Sequence, residues 1–391
     1  MPSISCEDLA REVLEQCIAG APPERLPQAL LEEPCAKALF GILVEGLSDR
    51  FEPALSDCYA HLFAQAIPGA DLARYRRVRV PRLVMCEPSR VIVLSRVTLG
   101  ADVAVTSVLI DAAKRRFPKA QIVFAGPRKN FEMFAADPRL VHAPVEYRRG
   151  SLTDRLTAWS DLKALVTGTD TVVIDADSRL TQLGLLPIGE PSRYHLFDSR
   201  SYGGAADRAL PDLAAQWAEE TFGIAGAKAY VAPAGKIVDL PRSYIAVSLG
   251  VGENPAKRIA DPFEPDLLRY LATLGPLVID KGAGGEEAAR VERAAGCNAI
   301  FWEGSFAGFA KIIAGSALYV GYDSAGQHVA AACGVPLISI FAGFPAPRMF
   351  DRWRPKGTVI RVDNPDPAEV LERVREEAKT FWPRMNTKTR D

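Results

Sequence analysis

One continuous stretch of the chain contains the signals of a parallel-sheet fold: Val320-Gly-Tyr-Asp-Ser-Ala-Gly-Gln-His-Val-Ala-Ala-Ala-Cys-Gly-Val-Pro-Leu-Ile-Ser-Ile-Phe341. The apolar run Ala317 to Val320 predicts a strand, and the polar turn Asp323 to His328 leads into a helix of small residues. Gly334-Val-Pro336 ends this helix, and Leu337 to Phe341 predicts the next strand. Such a unit places a helix N-terminus at the carboxyl edge of a sheet, where anions, commonly phosphate, bind.

Outward from this stretch, strand patterns alternate with helical patterns along most of the chain, which predicts doubly wound α/β structure with parallel sheets. The pattern stops and restarts, with a join near Ala232 to Pro241. Three regions are therefore expected: an N-terminal helical extension (residues 1–88), a first Rossmann-like domain (89–238) and a second one (239–391) that ends in a helix.

Composition narrows the class of protein. The chain has 391 residues, of which 48% are hydrophobic and 24% charged, and its formal net charge of −1 argues against a general nucleic-acid binder. Its N-terminus lacks a signal-peptide pattern, and its longest apolar window is shorter than a membrane span requires, so a cytoplasmic protein is expected. None of the seven cysteines forms a C-x-x-C pair, which favours buried free thiols over a zinc site or a disulfide framework.

A dense basic run, Arg74-Tyr-Arg-Arg-Val-Arg-Val-Pro-Arg82, separates the helical extension from the first strand. The favoured interpretation is a linker face that ties the extension to the next domain. The alternative is contact with anionic lipid head groups, at the inner face of the cytoplasmic membrane, or with an anionic acceptor.

Three loops of the second half could bind a nucleotide diphosphate. They are Gly250 to Arg258, Lys281 to Glu286 and Asp323 to His328, and each follows a predicted strand. Glycine-rich loops occur as ordinary turns in any α/β fold, so one such loop alone is weak evidence. Three at the strand ends of one half favour a phosphate site, with positive charge supplied by Lys257.

In the first half, Asp102 joins the first predicted strand to the first helix. It is either a helix N-cap or a base that accepts a proton from a substrate hydroxyl. A helix N-terminus lowers the pKa of a carboxylate, so a base at this position requires desolvation.

These motifs resemble a known family. Arg96-Val-Thr-Leu-Gly-Ala-Asp102, followed by Val108 and Phe117-Pro118, is similar to the N-terminal signature of the heptosyltransferase-like glycosyltransferases of family 9. Lys257-Arg258 resembles the K-R-W motif of that family. Gly282 to Glu286 resembles its G-x-x-x-E motif.

The opening stretch carries the most specific resemblance. Asp323 to Pro336 is similar to the family signature D-[ST]-G-x-x-H-x-A-A-x-x-G-x-P. Together, the matching motifs cover about residues 88 to 382.

The resemblance implies a GT-B fold, with two Rossmann-like domains around a deep cleft and a C-terminal helix that often crosses back to the first domain. It implies inverting, metal-independent transfer of a sugar from a nucleotide diphosphate donor, usually ADP-heptose, to a lipopolysaccharide core acceptor. By position, Asp102 would be the general base, Lys257 would hold the diphosphate and Glu286 the ribose. The full donor-binding set so implied is Lys257, Arg258, Glu286, Asp323, Ser324, Ala325, Gly326 and His328.

No cofactor is expected beyond the nucleotide sugar itself. The acceptor is expected to be a saccharide, a glycolipid or a protein, and Arg96, Arg128 and Arg179 are candidates to bind an anionic acceptor. The oligomeric state is open.

The chain departs from the family pattern at three positions. Ala101 and Ala325 replace glycines, and Ile259 replaces the tryptophan of K-R-W. A β-carbon at two close-approach positions narrows the site or shifts the phosphate path. Together with the N-terminal extension, these changes suggest a specialised member with its own donor or acceptor.

Two other classes of function remain open. One is a nucleotide-sugar-binding protein that has lost catalysis, which the two alanines permit. The other is a nucleotide-sugar epimerase of the GT-B type, which would release an isomerised sugar nucleotide without an acceptor.

Overall fold

The computed structural model describes residues 4–235, 239–252, 254–282, 284–296 and 299–387, with side chains described as far as residue 381. The predicted join between the halves includes residues 236–238, which lie outside the described residues. Glu253 and Ala283, in two of the predicted phosphate loops, also lie outside them.

Helices and strands alternate along the chain after an all-helical beginning. The helices are α1 (Cys6–Ile18), α2 (Ala36–Ala38), α3 (Glu45–Ser48), α4 (Pro53–Ala66), α5 (Leu72–Val78), α6 (Leu99–Ala101), α7 (Ser107–Arg116), α8 (Arg128–Phe131), α9 (Leu152–Leu165), α10 (Leu210–Phe222), α11 (Phe263–Leu274), α12 (Gly285–Ala295), α13 (Phe306–Gly315), α14 (Ala325–Cys333), α15 (Pro347–Trp353) and α16 (Pro367–Thr387). The strands are β1 (Arg90–Leu94), β2 (Gln121–Gly126), β3 (Leu140–Pro144), β4 (Thr171–Asp175), β5 (Tyr194–Leu196), β6 (Ile245–Ser248), β7 (Leu277–Asp280), β8 (Ala299–Trp302), β9 (Leu318–Tyr322), β10 (Leu337–Phe341) and β11 (Thr358–Arg361).

The chain divides into two compact units, and neither is continuous in sequence. The first contains the described residues up to Phe131, then Pro138–Ala229 and Pro345–Trp353. The second contains Glu132–Asp137, Tyr230–Phe344 and the described residues from Arg354 onward. The predicted domain boundaries at residues 88 and 238 stay predictions.

The first unit contains a parallel sheet in the order β3-β2-β1-β4-β5. Its central strand β1 is flanked by β2 and β4, and Val93 is aligned with Phe124 on one side and with Ile174 on the other. The chain order reverses between β1 and β4, and this switch point is where such sheets place ligands, beyond the carboxyl ends of the strands.

The N-terminal helices cover one face of this sheet. Ile92 and Leu94 of β1 and Val173 of β4 share one hydrophobic core with the extension residues Phe40 and Phe63. Helices α7 and α10 pack together on the sheet as well, and α7 contacts β1 and β2. Because adjacent residues of a strand point to opposite faces, both faces of a parallel sheet need a covering layer. The extension supplies part of that layer.

The second unit contains a parallel sheet in the order β11-β10-β9-β6-β7-β8. Its switch point lies between β6 and β9, where Ser248 is aligned with Gly321. The C-terminal helix α16 packs against α11, β10 and β11 of the same unit. The two sheets confirm the predicted doubly wound α/β class.

Helix α15 lies between two strands of the second sheet in sequence but belongs to the first unit. Arg348 donates to the carbonyl of Phe51 (3.1 Å), and Arg352 donates to the carbonyls of Gly204 and Arg208 (both 2.8 Å). The ring of Trp353 lies edge-on to that of Phe51, with 6.2 Å between centroids. These contacts fasten the segment to the first unit.

The prediction of free cysteines is wrong for Cys6 and Cys35. They form a disulfide, because the chain turns back after α1 and brings the two Cα atoms to 5.2 Å across a sequence separation of 29. Cys17 and Cys58 are buried free thiols whose sulfur atoms lie 2.9 Å apart. Cys86 is free but only partly buried, so the prediction of buried free thiols is confirmed for two of the five N-terminal cysteines.

Within the described ranges, no helix combines the length and the apolar character that crossing a membrane requires.

Candidate active site

The turn between β9 and α14 lies at the switch point of the second sheet. β9 ends at Tyr322, and the next residue, Asp323, donates its backbone N–H to the carbonyl of Ile340 in β10 (3.0 Å). β6, the neighbour of β9 on the other side, ends at Ser248. The loop after β6 and the turn after β9 therefore leave the sheet side by side, at the usual ligand position of this fold.

The carboxylate of Asp323 is the centre of a hydrogen-bond network. Lys257 Nζ lies 2.6 Å from Asp323 Oδ2 and 3.1 Å from the Asp323 carbonyl oxygen. The amide of Gln327 donates to Asp323 Oδ1, and the hydroxyl of Ser339 donates to Gln327 Oε1. The lysine side chain is 16% exposed and the carboxylate 7%, so water screens this ion pair only partly. The network holds a positive charge beside the start of α14.

Lys257 reaches this position because a short turn redirects the loop after β6. A 3₁₀ helix, Pro255–Lys257, begins after Asn254, whose side-chain oxygen accepts the N–H of Ala256 (3.0 Å). The Asn254 amide donates to the carbonyl of Gly343 (3.2 Å). Gly343 has a φ of +66°, and a Cβ there would meet the backbone of Ala256, so a side chain does not fit at this contact.

His328 contributes a neutral imidazole to the same turn. Burial lowers its pKa to about 4, although the nearby Asp323 carboxylate opposes this shift. Its Nε2 lies 3.3 Å from Nε2 of Gln327. At neutral pH the ring is uncharged, so it can offer a hydrogen bond but cannot neutralise a phosphate. Lys257 and the helix N-terminus remain as the sources of positive potential.

The start of α14 holds groups that suit an anion. Ser324 Oγ is buried, lies near the hydroxyl of Tyr319, and makes no well-formed hydrogen bond to a described residue. α14 begins at Ala325, and the first N–H groups of any helix lack partners within the helix. Gly326 has a different role, because a Cβ there would collide with the hydroxyl of Tyr319. Internal packing therefore requires Gly326, whereas Ser324 and the first-turn N–H groups are available to a ligand.

Arg258 and the adjacent Lys257 have different surroundings. Arg258 Nη1 donates to Glu264, whose side chain is 1% exposed. Glu264 also accepts from Arg290 Nε (2.8 Å) and from the Tyr322 hydroxyl (3.2 Å). A buried carboxylate needs such partners to offset its lost hydration. Arg258 is therefore committed to a network that fixes the loop after β6 onto α11.

Two adjacent glutamates in the first turn of α12 have different environments. Glu286 is exposed and makes no hydrogen bond or ion pair to another described residue. Glu287 is half-buried, lies 3.9 Å from Arg258 Nη2, and fills the space beside Gly282, where a Cβ would meet it. Glu287 is not among the residues predicted from the sequence. A Glu-Glu pair carries no signal of which side chain turns inward, because the phase of the helix decides it.

In the first unit, Asp102 is fully buried. Helix α6 begins three residues earlier at Leu99, so Asp102 is inside the helical segment and is not its N-cap. Burial raises its pKa, and its hydrogen bonds oppose this shift. Four donors surround the carboxylate: Ser95 Oγ (2.6 Å), the Arg96 N–H (2.7 Å), Thr106 Oγ1 (2.6 Å) and Asn130 Nδ2 (2.6 Å). The carboxylate fastens the end of β1 to the helical segment and to α8.

Arg96, a predicted acceptor residue, is buried and already partnered. It donates to the carbonyl of Ala176 (2.6 Å) and to Ser199 Oγ (2.8 Å), and it lies 3.7 Å from Asp177 Oδ2. Burial lowers its pKa to about 10, against the opposing charge of Asp177. These contacts tie the ends of β1, β4 and β5 together, so Arg96 is committed to the fold.

The other two predicted acceptor residues have surface positions on separate elements. Arg128 is exposed at the start of α8. Arg179 lies in a 3₁₀ turn after β4 and pairs with Glu45 at 3.7 Å.

Across the described part of the chain, no group of three or more His, Cys, Asp or Glu side chains could hold a metal ion. The metal-free mechanism stays a prediction.

Comparison with known proteins defines the class. Residues 276–379 match the family model described as glycosyltransferase family 9 (heptosyltransferase). This range contains Glu286 and the whole β9–α14–β10 stretch. No curated protein matches the chain. The chain is a glycosyltransferase, and its predicted resemblance to the heptosyltransferase family is confirmed.

Three solved structures show the same fold. A family 9 glycosyl transferase from Veillonella parvula is 16% identical, with a TM-score of 0.54 over 76% of this chain and 97% of the other. The E. coli heptosyltransferase WaaC with ADP is 18% identical, with a TM-score of 0.54 over 75% and 99%. The E. coli ADP-heptose lps heptosyltransferase II is 18% identical, with a TM-score of 0.51 over 74% and 98%. The predicted GT-B class is confirmed at the level of the fold.

Proposed function

We propose that this enzyme transfers a sugar from a nucleoside diphosphate donor to an acceptor hydroxyl, with inversion and without a metal ion. The observation that carries the proposal is the ion pair of Lys257 and Asp323 beside the N-terminus of α14. It lies where a parallel sheet of this order binds ligands. The family match and the structures named with ADP make ADP-heptose the donor to test first.

In this proposal the acceptor oxygen forms a bond to the anomeric carbon while the bond from that carbon to the diphosphate oxygen breaks. The leaving diphosphate takes the bonding electron pair and gains negative charge. Lys257, the Ser324 hydroxyl and the first N–H groups of α14 would stabilise this charge where it develops. Neutral His328 would donate one hydrogen bond to a phosphate or sugar oxygen.

Glu286 is the proposed partner of the ribose hydroxyls. Its carboxylate is exposed and uncommitted, so it can accept hydrogen bonds from two adjacent hydroxyls without losing an existing partner. Glu287 and Arg258 would act indirectly, by fixing the two glycine-containing loops that approach the nucleotide.

Asp102 is the proposed base that takes the acceptor proton. Its raised pKa makes it a stronger base than an ordinary aspartate. Its four donors occupy both oxygens, so direct contact with an acceptor requires one of them, Ser95 or Asn130, to turn away. The acceptor is proposed to be a saccharide, a glycolipid or a protein.

The proposal is tested by incubating the full chain with ADP-heptose and following release of ADP and of heptose. The wild type should bind the donor and release ADP slowly by hydrolysis, whereas Asp102→Asn should bind equally well and release less. All four partners of Asp102 donate to its carboxylate, and the N–H group of an asparagine amide cannot accept these bonds. Thermal unfolding must therefore show that Asp102→Asn is folded. Binding without turnover by the folded wild type would identify a nucleotide-sugar-binding protein instead.

Chelation tests the metal-free mechanism. Activity should survive treatment with EDTA followed by desalting. Activity that disappears and returns with a divalent cation would contradict the mechanism.

A further inference from the structure

The basic run Arg74 to Arg82, which begins within α5 and precedes β1, contains two sets of arginines. One set points inward. Arg74 is 3% exposed, and its guanidinium lies 4.3 Å from the ring centroid of Tyr194. Arg79 pairs with the buried Asp198 at 2.9 Å, and Arg82 donates to the carbonyl of Tyr194 at 2.8 Å. These three arginines tie the extension to both ends of the edge strand β5.

The other set points outward and lies beside apolar side chains. Arg76 and Arg77 are exposed and form no ion pair with another described residue. Val80, Leu83 and Met85 are 61%, 55% and 83% exposed. The other large apolar side chains with high exposure in the described ranges are scattered: Ile4, Ile18, Val141 and Ile300. An exposed apolar group rimmed by polar residues indicates an interaction site, whereas single exposed apolar residues are ordinary.

The protein holds this segment in place. Val84 is 4% exposed, and its N–H donates to the carbonyl of Thr221 (2.8 Å), while Arg82 is bound as described. Side chains of an extended chain alternate in direction, so anchoring Val84 inward turns Leu83 and Met85 outward. The outward side chains are thus presented by a fixed backbone, which lowers the ordering cost of binding.

The charge around the segment is positive. A recess of about 540 Å³ borders it and is lined by Arg76, Arg79, Asp57 and Asp198. Both carboxylates pair with Arg79, and neither forms an ion pair with Arg76 or Arg77. Beyond the segment, Glu87 pairs with Arg116, the last of three consecutive basic residues at the end of α7.

We propose that Arg76, Arg77, Val80, Leu83 and Met85, the 76–85 surface, bind the anionic face of a lipid bilayer. The apolar tips would enter the boundary between head groups and acyl chains, and the arginines would contact lipid phosphates. Three apolar side chains bury far less area than a stable protein–protein interface needs. Affinity for a bilayer, in contrast, increases with each apolar side chain that is inserted and with each cation that contacts a lipid phosphate. The proposal concerns a surface outside the donor site and holds whatever the enzyme transfers.

The test is sedimentation of the full chain with vesicles of equimolar phosphatidylglycerol and phosphatidylcholine, or of phosphatidylcholine alone. The wild type should sediment with the first and much less with the second, and high salt should weaken binding. Arg76→Gln with Arg77→Gln should lower the partition coefficient roughly tenfold or more. Val80→Ser, Leu83→Ser and Met85→Ser together should abolish binding, including binding that survives high salt.

Two control variants carry the same types of substitution at exposed residues outside the 76–85 surface. One combines Val141→Ser with Ile300→Ser, and the other combines Arg269→Gln with Arg375→Gln. Both should bind the anionic vesicles like the wild type. Wild-type binding by the triple serine variant would overturn the proposal, as would no preference for the anionic vesicles. A wild-type dimer in light scattering that becomes monomeric in the triple variant would also overturn it, since the surface would then bind a second copy of the chain.

Discussion

Lys257 and Asp323 form an ion pair across the switch point of the second sheet, with 2.6 Å between Nζ and Oδ2. The two residues come from different loops, one after β6 and one after β9. The carboxylate therefore holds the amine in position before any donor arrives. A preorganised cation loses less side-chain entropy on binding than a free lysine would.

Lys257→Ala should weaken ADP binding roughly tenfold to a hundredfold, because a charge-assisted contact is worth about 1.5–3 kcal/mol and the Asp323 charge is left unpaired. Isothermal titration calorimetry measures the change. Lys311→Ala, on α13 of the same unit, is the matched control and should bind like the wild type. Unchanged affinity in Lys257→Ala would remove the diphosphate assignment.

Glu286→Gln should weaken ADP binding roughly tenfold, since an exposed, uncommitted carboxylate loses its charge-assisted bonds to the ribose. Glu287→Gln is its neighbour control, and its smaller effect should come with a lower unfolding temperature because its contact with Arg258 is lost. Titrations with ADP and with inorganic pyrophosphate separate the two roles. If Glu286→Gln weakened pyrophosphate binding equally, the ribose assignment would be wrong.

His328 should make stability depend on pH. Its pKa is about 4 in the folded chain and about 6.5 when unfolded, so between these values the unfolded state binds the extra proton. Stability should therefore fall by about 2 kcal/mol from pH 7 to pH 5 on account of this residue, and be retained above pH 7. His195, whose pKa burial also lowers to about 4, adds a second contribution.

Urea unfolding of the wild type and of His328→Gln at both pH values checks this prediction. His328→Gln should lose less free energy of unfolding on acidification than the wild type. His195→Gln measures how much of the pH dependence comes from His195 in the first unit. Equal pH dependence of wild type and both variants would show that neither buried imidazole controls it.

The Cys6–Cys35 disulfide should stabilise the N-terminal helices. Closing a loop of this length is worth about 3–4 kcal/mol in the chain-entropy model. Cys6→Ser with Cys35→Ser should therefore lower the unfolding temperature of the oxidised protein, while Cys86→Ser should not. Peptide mapping without reductant identifies the bond directly, and a map in which both cysteines are alkylated would refute it.

Strong apolar runs allowed most of both sheets to be predicted. The apolar runs Val91 to Leu94, Gln121 to Phe124 and Thr171 to Ile174 predict strands, and they coincide with β1, β2 and β4, whose core positions are fully buried. No such run marks β3, β5 or β8, and all three are edge strands. An edge strand is short or partly exposed and does not need the continuous apolar run that marks a central one.

At the site, sequence position alone did not separate residues that face a ligand from residues that hold the scaffold. Lys257 and Arg258 are adjacent, yet one faces Asp323 and the other is committed to the buried Glu264. Arg96 was expected to bind an acceptor and instead ties three strand ends together. Charged residues leave no pattern that reveals a partner distant in sequence, so only tertiary structure decides between these roles.

The segment Pro345–Trp353 makes each unit discontinuous along the chain. No single cleavage of the backbone can release both units complete, because a cut on either side of α15 leaves one unit without part of its sequence. During synthesis, the first unit lacks Arg348 and Arg352 until almost the whole second sheet has been made. The enzyme therefore cannot be split into two separately expressed halves at one junction. Separate halves would need a second copy of this segment in the N-terminal half and a second copy of Glu132–Asp137 in the C-terminal half.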